Sequence, residues 1–197
     1  MKKPDFAKPG RKADKPSGRL MALLGLAACL LRSAGSGADL SLTEYQVKSL
    51  FLLNFTKYVD WPAGAFADTN APVTIGVYGE NRFGDDLRKA VAGKTAGGRG
   101  IALRQIEKTE DLGKCHILFI SSSEKKRMAE ILSQVKSLPV LTVGETDQFI
   151  DQGGIINFTM KENKVRLEIN LQSAREANLQ VSSKLLSVAD SVKGRSK

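Results

Sequence analysis

Few side chains in this 197-residue sequence carry chemistry at a spacing that could use it. Cys115 and His116 are adjacent, and His116 is the one histidine. A thiolate–imidazole pair would need both on the same side of the backbone. The run His116-Ile-Leu-Phe-Ile120 reads as a strand, where successive side chains point to opposite faces, so the two cannot meet within it. They are expected as core or core-edge residues. One cysteine and one histidine also fall short of a zinc site unless carboxylates complete it. Gly76, Gly79 and Gly84 lack G-x-G-x-x-G spacing, and Arg88 stands where a P-loop ending in Gly93-Lys94-Thr95 needs its first glycine. No cofactor is expected. The best small-ligand position is Ser121-Ser122-Ser123, where a loop after a buried strand presents free amides and hydroxyls. The bland role for these serines is an N-cap. Asp85, Asp86, Glu107, Glu110 and Asp111 read as solvated acids rather than a carboxylate dyad.

The elements that must position these residues begin with Ser41–Pro62. Ser41 with Glu44, or Thr43 with Gln46, fits a capping box. Val47, Leu50, Phe51, Asn54, Phe55 and Tyr58 recur at helical spacing and predict an apolar face, with Pro62 as the stop. Val73–Tyr78 predicts a strand, Asp85–Val91 a helix, and Ile101–Ile106 a strand. The nearly all-apolar 116–120 run predicts a central strand covered on both faces. Glu124–Lys136 predicts a helix and Pro139–Val143 a strand. Two alternating runs, Gly154–Met160 and Val165–Asn170, flank the polar turn Lys161–Lys164 and predict a β-hairpin. A final helix is expected from about Ser173 to Val192. The order gives an α/β single-domain sandwich with a mainly parallel central sheet, an N-terminal amphipathic helix and a C-terminal β-hairpin plus helix.

The formal charge of +9 is unevenly placed. Residues 1–38 hold eight basic side chains against Asp5 and Asp14, and the rest of the chain carries 22 basic and 19 acidic residues. Without a basic stripe interleaved with aromatics, a nucleic-acid function has little support. Basic residues, the apolar run Leu20–Leu31 and the small residues Ser33–Ala38 form the three parts of a secretory leader. Residues 1–38 are therefore expected as a leader and 39–197 as the mature domain, with Met21 as another possible start. Twelve apolar residues are too few to span a bilayer, which needs about twenty. A second route is open: Leu26-Ala27-Ala28-Cys29 could be a lipoprotein box, with Cys29 lipidated. Either processing leaves Cys115 unpaired within the chain.

The helix motif V-K-x-x-x-L-x-N-F-x-K-Y-V-x-W-P, followed by Val140-Leu-Thr-Val-Gly144, Phe149, Gly153-Gly-Ile-Ile-Asn-Phe158, Leu167-Glu-Ile-Asn170 and Leu179–Leu186, resembles the YfiR family in order and spacing. The likeness runs from about residue 44 to 190. It implies an exported, non-enzymatic regulatory domain. Name-giving members are periplasmic repressors that bind the periplasmic part of an inner-membrane diguanylate cyclase, often as dimers, lower cyclic di-GMP and disfavour biofilm. A homodimer with such a partner is what the resemblance implies here. Some relatives pair the cysteine opening the central strand with one near the first strand. This chain reads Ile75-Gly76-Val77 there, so an internal disulfide is not expected, and intermolecular pairing stays open. Two other readings remain: a periplasmic small-molecule binding module serving a sensor kinase or transporter, with its pocket near Gly79 and Ser121–Ser123, and an enzyme, which would need titratable groups converging in one cleft.

Overall fold

The computed structural model describes residues 42–194. In chain order its elements are α1 (Glu44–Tyr58), β1 (Val59–Asp60), β2 (Val73–Tyr78), α2 (Asp86–Val91), β3 (Thr95–Ala96), β4 (Arg99–Ile106), β5 (Ile117–Ile120), α3 (Met128–Val135), β6 (Leu141–Gly144), β7 (Ile156–Lys161), β8 (Lys164–Asn170), α4 (Leu171–Glu176), β9 (Gln180–Val181), α5 (Ser183–Ser187) and β10 (Ser191–Lys193). Short 3₁₀ turns cover Ala63–Ala65, Thr109–Lys114 and Ser122–Arg127. The leader and Cys29 lie outside the described residues.

Thr43, not Ser41, starts α1. Its hydroxyl accepts the Gln46 N–H and Gln46 Oε1 accepts the Thr43 N–H at 3.0 Å, a reciprocal capping box. The buried face of α1 differs from the expected one. Leu50 is 42% exposed and Asn54 is exposed, whereas Lys48, Ser49, Leu52, Leu53, Phe55 and Thr56 are buried. The stripe is rotated because three of its members are polar. Lys48 and Ser49 find buried partners, and Thr56 bonds back to the Leu53 carbonyl at 2.6 Å. The helix stops at Tyr58, ahead of Pro62, because Val59 turns extended and β1 pairs antiparallel with β9, Val59 opposite Val181.

Eight strands form one sheet in the order β10-β8-β7-β6-β5-β2-β4-β3. All neighbours are parallel except β7–β8 and β3–β4. Alternation along the central strands divides the core. Ile75, Val77, Ile117, Phe119, Leu141 and Val143 face a cluster with Leu52 and Phe55 of α1 and Leu87 of α2. Tyr78, Leu118 and Ile120 face the opposite cluster, with Met128, Ile131, Leu132 and Val135 of α3. Each fully buried Phe or Leu contributes roughly 1.5–3 kcal/mol, so β5, buried at every position, ties the two layers together.

Phe149 explains the spacing of glycines around it. A Cβ at Gly144 would lie 2.3 Å from its ring and one at Gly154 2.1 Å from it, so the ring fills a slot that any side chain at either position would close. The β7–β8 hairpin forms as its alternation predicts, with Ile156 opposite Ile169 and Phe158 opposite Leu167. Glu162 and Asn163, at φ 51 and 56, make its two-residue turn. The single C-terminal helix expected over 173–192 is replaced by α4, β9, α5 and β10. Asn178 takes φ 56 and ends α4, with the Leu179 N–H returning to the Ala174 carbonyl, after which Ser182 caps α5. The pairings of β9 with β1 and β10 with β8 then hold the segment extended.

Candidate functional site

In a sheet of this kind a ligand crevice is expected where the chain changes direction across the strand order, at the strand C-termini. From β2 the chain passes to β4 on one side and to β5, β6 and β7 on the other, which sets that point above β2 and β5. Gly79 follows β2 and Ser121–Ser123 follow β5, so the expected serines are indeed there. They are engaged by the protein itself. Ser121 is fully buried and accepts the Ser123 N–H at 3.4 Å as an N-cap. Ser123 Oγ accepts the Glu80 N–H at 3.0 Å. Gly79, at φ 86, comes so near that an added Cβ would stand 2.5 Å from Ser123 Oγ. The two loops close on each other over the crevice.

Ser122 leads to the densest polar cluster of the domain. Its N–H and Oγ both donate to Glu145 Oε1, at 3.1 and 2.9 Å. Glu145 Oε2 accepts Lys48 Nζ at 2.7 Å and Tyr45 OH at 3.0 Å. Lys48 also pairs with Glu44 one turn back, and its ammonium lies 4.7 Å from the centre of the Tyr45 ring. Arg82 Nη1 donates to Tyr45 OH at 3.4 Å, and Phe83 meets the Tyr45 ring edge-on at 5.3 Å. The side chains of Lys48 and Glu145 are each 4% exposed. Burial alone would raise the Glu145 carboxyl, but Lys48 and the Ser122 donors outweigh it and hold the carboxyl below the usual range. Burial would likewise lower Lys48, and the two carboxylates reverse it, so the ammonium is held above its ordinary value. Both groups are charged at neutral pH. The arrangement binds α1 to the loops after β2, β5 and β6 with donors and acceptors matched inside the protein.

Neither Lys48 nor Glu145 was singled out by the residue pattern. A lysine at the position that completes the 45/48/52/55/59 register was the available signal for one. A carboxylate directly after a buried strand was the signal for the other.

Cys115 and His116 lie just before β5, which starts at Ile117 rather than at the expected His116, and their side chains diverge. Cys115 is buried against Leu112 and Ile106, and burial pushes its thiol up to about 12. A Cβ at Gly76 would lie 3.0 Å from its sulfur. His116 Nδ1 accepts the Thr74 N–H at 3.0 Å, which makes Nε2 the protonated nitrogen facing the Ala65 carbonyl at 3.2 Å. Its ring stacks on Phe66 at 4.4 Å, and the Arg99 guanidinium lies over the Phe66 ring at 3.9 Å. Trp61 Nε1 donates to the His116 carbonyl at 3.1 Å. Burial holds the imidazole below its ordinary value, with the Arg99 charge acting the same way and the Ala65 carbonyl opposing it. These contacts pin the 61–72 connection beneath the sheet.

Among the described residues no group of three or more His, Cys, Asp or Glu is placed to hold a metal ion, and no helix is long and apolar enough to cross a membrane.

Fold and site define an α/β sandwich whose main buried polar cluster is satisfied by its own side chains. The YfiR/HmsC-like family model (DUF4154) matches residues 45–190, nearly the whole described domain, and the chain belongs to that family. That family is one of periplasmic regulatory domains. No curated protein matches the sequence. Among solved structures, a conserved domain protein from Vibrio cholerae is 12% identical with a TM-score of 0.51, covering 78% of this chain and 61% of that one. That likeness is one of fold. An ABC domain in complex with L-Trp from Streptococcus pneumoniae, also 12% identical, gives a TM-score of 0.44 over 60% of this chain and 56% of that one. The chain spans about three fifths of the length of these two proteins.

Proposed function

We propose that this protein is an exported, non-enzymatic regulator that binds the periplasmic region of an inner-membrane diguanylate cyclase, holds it inactive and so lowers cyclic di-GMP. The observation that carries the reading is the family match over residues 45–190. The closed crevice between Gly79 and Ser123 supports action through the surface rather than through a small ligand at that point. On this reading the regulator works by differential affinity: it binds the inactive state of its partner more tightly and shifts the population by that difference. The protein acts as a homodimer, so that two copies engage the two sensor regions of a dimeric cyclase. Export through the leader at residues 1–38 brings it to the partner.

The test is reconstitution of the purified protein with the full-length cyclase in nanodiscs. Stoichiometric inhibition of cyclic di-GMP synthesis, with crosslinks from this chain to the periplasmic region of the cyclase, is the expected result. Undiminished synthesis at saturating protein, with no crosslink, would overturn the reading.

A further inference from the structure

At this end of the sheet the two-residue β3 covers only the start of β4, and the outer edge of β4 beyond it is largely uncovered. β3 pairs with it only through Thr95–Gly100 and Ala96–Arg99, while Ile101–Ile106 pair with β2 on the inner side alone. Among the described residues nothing else pairs that stretch. An edge strand carries backbone N–H and C=O groups that point outward and can template another strand. Natural edges are blunted by bulges, prolines, charged side chains or coverings; Ile101–Ile106 has no proline, and Arg104 is its one charge.

A groove runs beside this edge, between it and the C-terminal end of α2. Val91, Ala92, Ile101 and Leu103 form its floor, and Arg88 and Lys94 stand at its rim. Ile101 and Leu103 point to the α1–α2 side of the sheet and are only partly covered. From residue 88 to 104 the chain carries Arg88, Lys89, Lys94, Arg99 and Arg104 and no acidic residue. Arg88 is paired with Asp85, and Arg99 is occupied by Phe66 and two backbone carbonyls. Lys89, Lys94 and Arg104 are exposed and form no ion pair among the described residues.

We infer that the β4 edge and this groove are a docking surface for an extended acidic–apolar segment of a partner protein, added as a further strand beside β4. Apolar side chains at alternate positions would enter the groove over Ile101 and Leu103, and the intervening carboxylates would meet Arg104 on the opposite face of the sheet. Lys94 at the groove rim would add longer-range attraction. A second copy of this chain does not fit, since pairing β4 with itself brings basic side chains together. Residues 1–38 carry the same sign of charge and do not fit either. The inference rests on the reading that the protein acts by contact, and it specifies one surface for that contact.

The test uses the purified protein and a fluorescein-labelled decapeptide of alternating valine and glutamate, with an alternating valine–lysine peptide as control. Binding is read by anisotropy and mapped by amide hydrogen exchange. The expected result is binding of the acidic peptide only, slower exchange within residues 101–106, and affinity at least roughly tenfold lower for the K94E/R104E double variant. The melting temperature of that variant checks its fold. Protection that maps elsewhere, absence of binding, or equal affinity for the variant would overturn the inference. So would protection at 101–106 that depends on protein concentration without peptide, which would mark a self-interface. Peptide binding is independent of cyclase inhibition, so a regulator that binds the peptide but does not inhibit the cyclase contradicts the proposed function and leaves the docking surface standing.

Discussion

Lys48 and Glu145, 97 residues apart, meet at 2.7 Å with both side chains almost wholly withdrawn from water. The pair joins the first helix to the end of β6. Desolvating two charges costs several kcal/mol per ion, and the remaining partners of each group decide whether the pair holds. Here the partners are present: Ser122 and Tyr45 for Glu145, Glu44 for Lys48.

Removing one member should therefore be costlier than replacing both. Lys48→Met leaves Glu145 buried without its cation and is expected to lower stability by about 3 kcal/mol. Lys48→Met combined with Glu145→Met should recover much of that loss. Urea denaturation of the two single variants and the double variant measures the coupling. A double variant as unstable as the sum of the singles would show that the pair is not coupled.

Acid should destabilise the domain in two stages. His116 is held below its ordinary value of about 6.5, so its unfolded form takes up a proton first. Its contribution is complete above that pH and declines as pH falls toward its folded value. Glu145, held below the ordinary carboxylate value of about 4.3, contributes fully above that pH and loses its contribution as pH falls through its lowered folded value. In stability–pH curves, His116→Phe should flatten the slope just below pH ~6.5 and leave the lower limb, while Lys48→Met should weaken the lower limb. The Phe variant keeps a ring against Phe66 but orphans the Thr74 N–H, so it should also be less stable by about 1 kcal/mol.

Gly76 of β2 and Cys115, two residues before β5, stand at disulfide reach. A Cβ at Gly76 lies 3.2 Å from Cys115 Cβ, and bridged cysteines need roughly 3.5–4.5 Å, a separation that a few tenths of an ångström of relaxation supplies. Gly76→Cys should oxidise to an internal disulfide and raise stability by about 2–4 kcal/mol over its reduced form. Thiol titration under denaturing conditions and melting with and without reductant read both effects. In the parent protein, Cys115 should resist iodoacetamide until the domain unfolds, as its burial and high pKa dictate.

The fold was legible where local pattern and tertiary environment agree. The all-apolar β5 and the alternating β7–β8 hairpin each carry their own physical reason in the sequence. Legibility failed where distant partners overrule local pattern. Lys48 on the core face of α1 makes that face look polar, and Glu145, which justifies it, lies 97 residues away. The C-terminal segment has helical spacing, but Asn178 in a left-handed conformation and pairing to β1 and β8 divide it. The serines at 121–123 were correctly placed above β5, while their occupation by Glu145 and Glu80 depends on contacts that no local window contains. The stack of His116, Phe66 and Arg99 was hidden for the same reason.

The central claim is that this protein restrains a diguanylate cyclase from the periplasm. Its most direct test is cellular cyclic di-GMP in a deletion strain, complemented either by the full-length gene or by a leaderless copy starting at Asp39, with both proteins confirmed as expressed. The account predicts that the nucleotide rises on deletion and that the full-length gene alone lowers it again. A level that does not change on deletion across several growth conditions, or one restored equally by the leaderless copy, would contradict it.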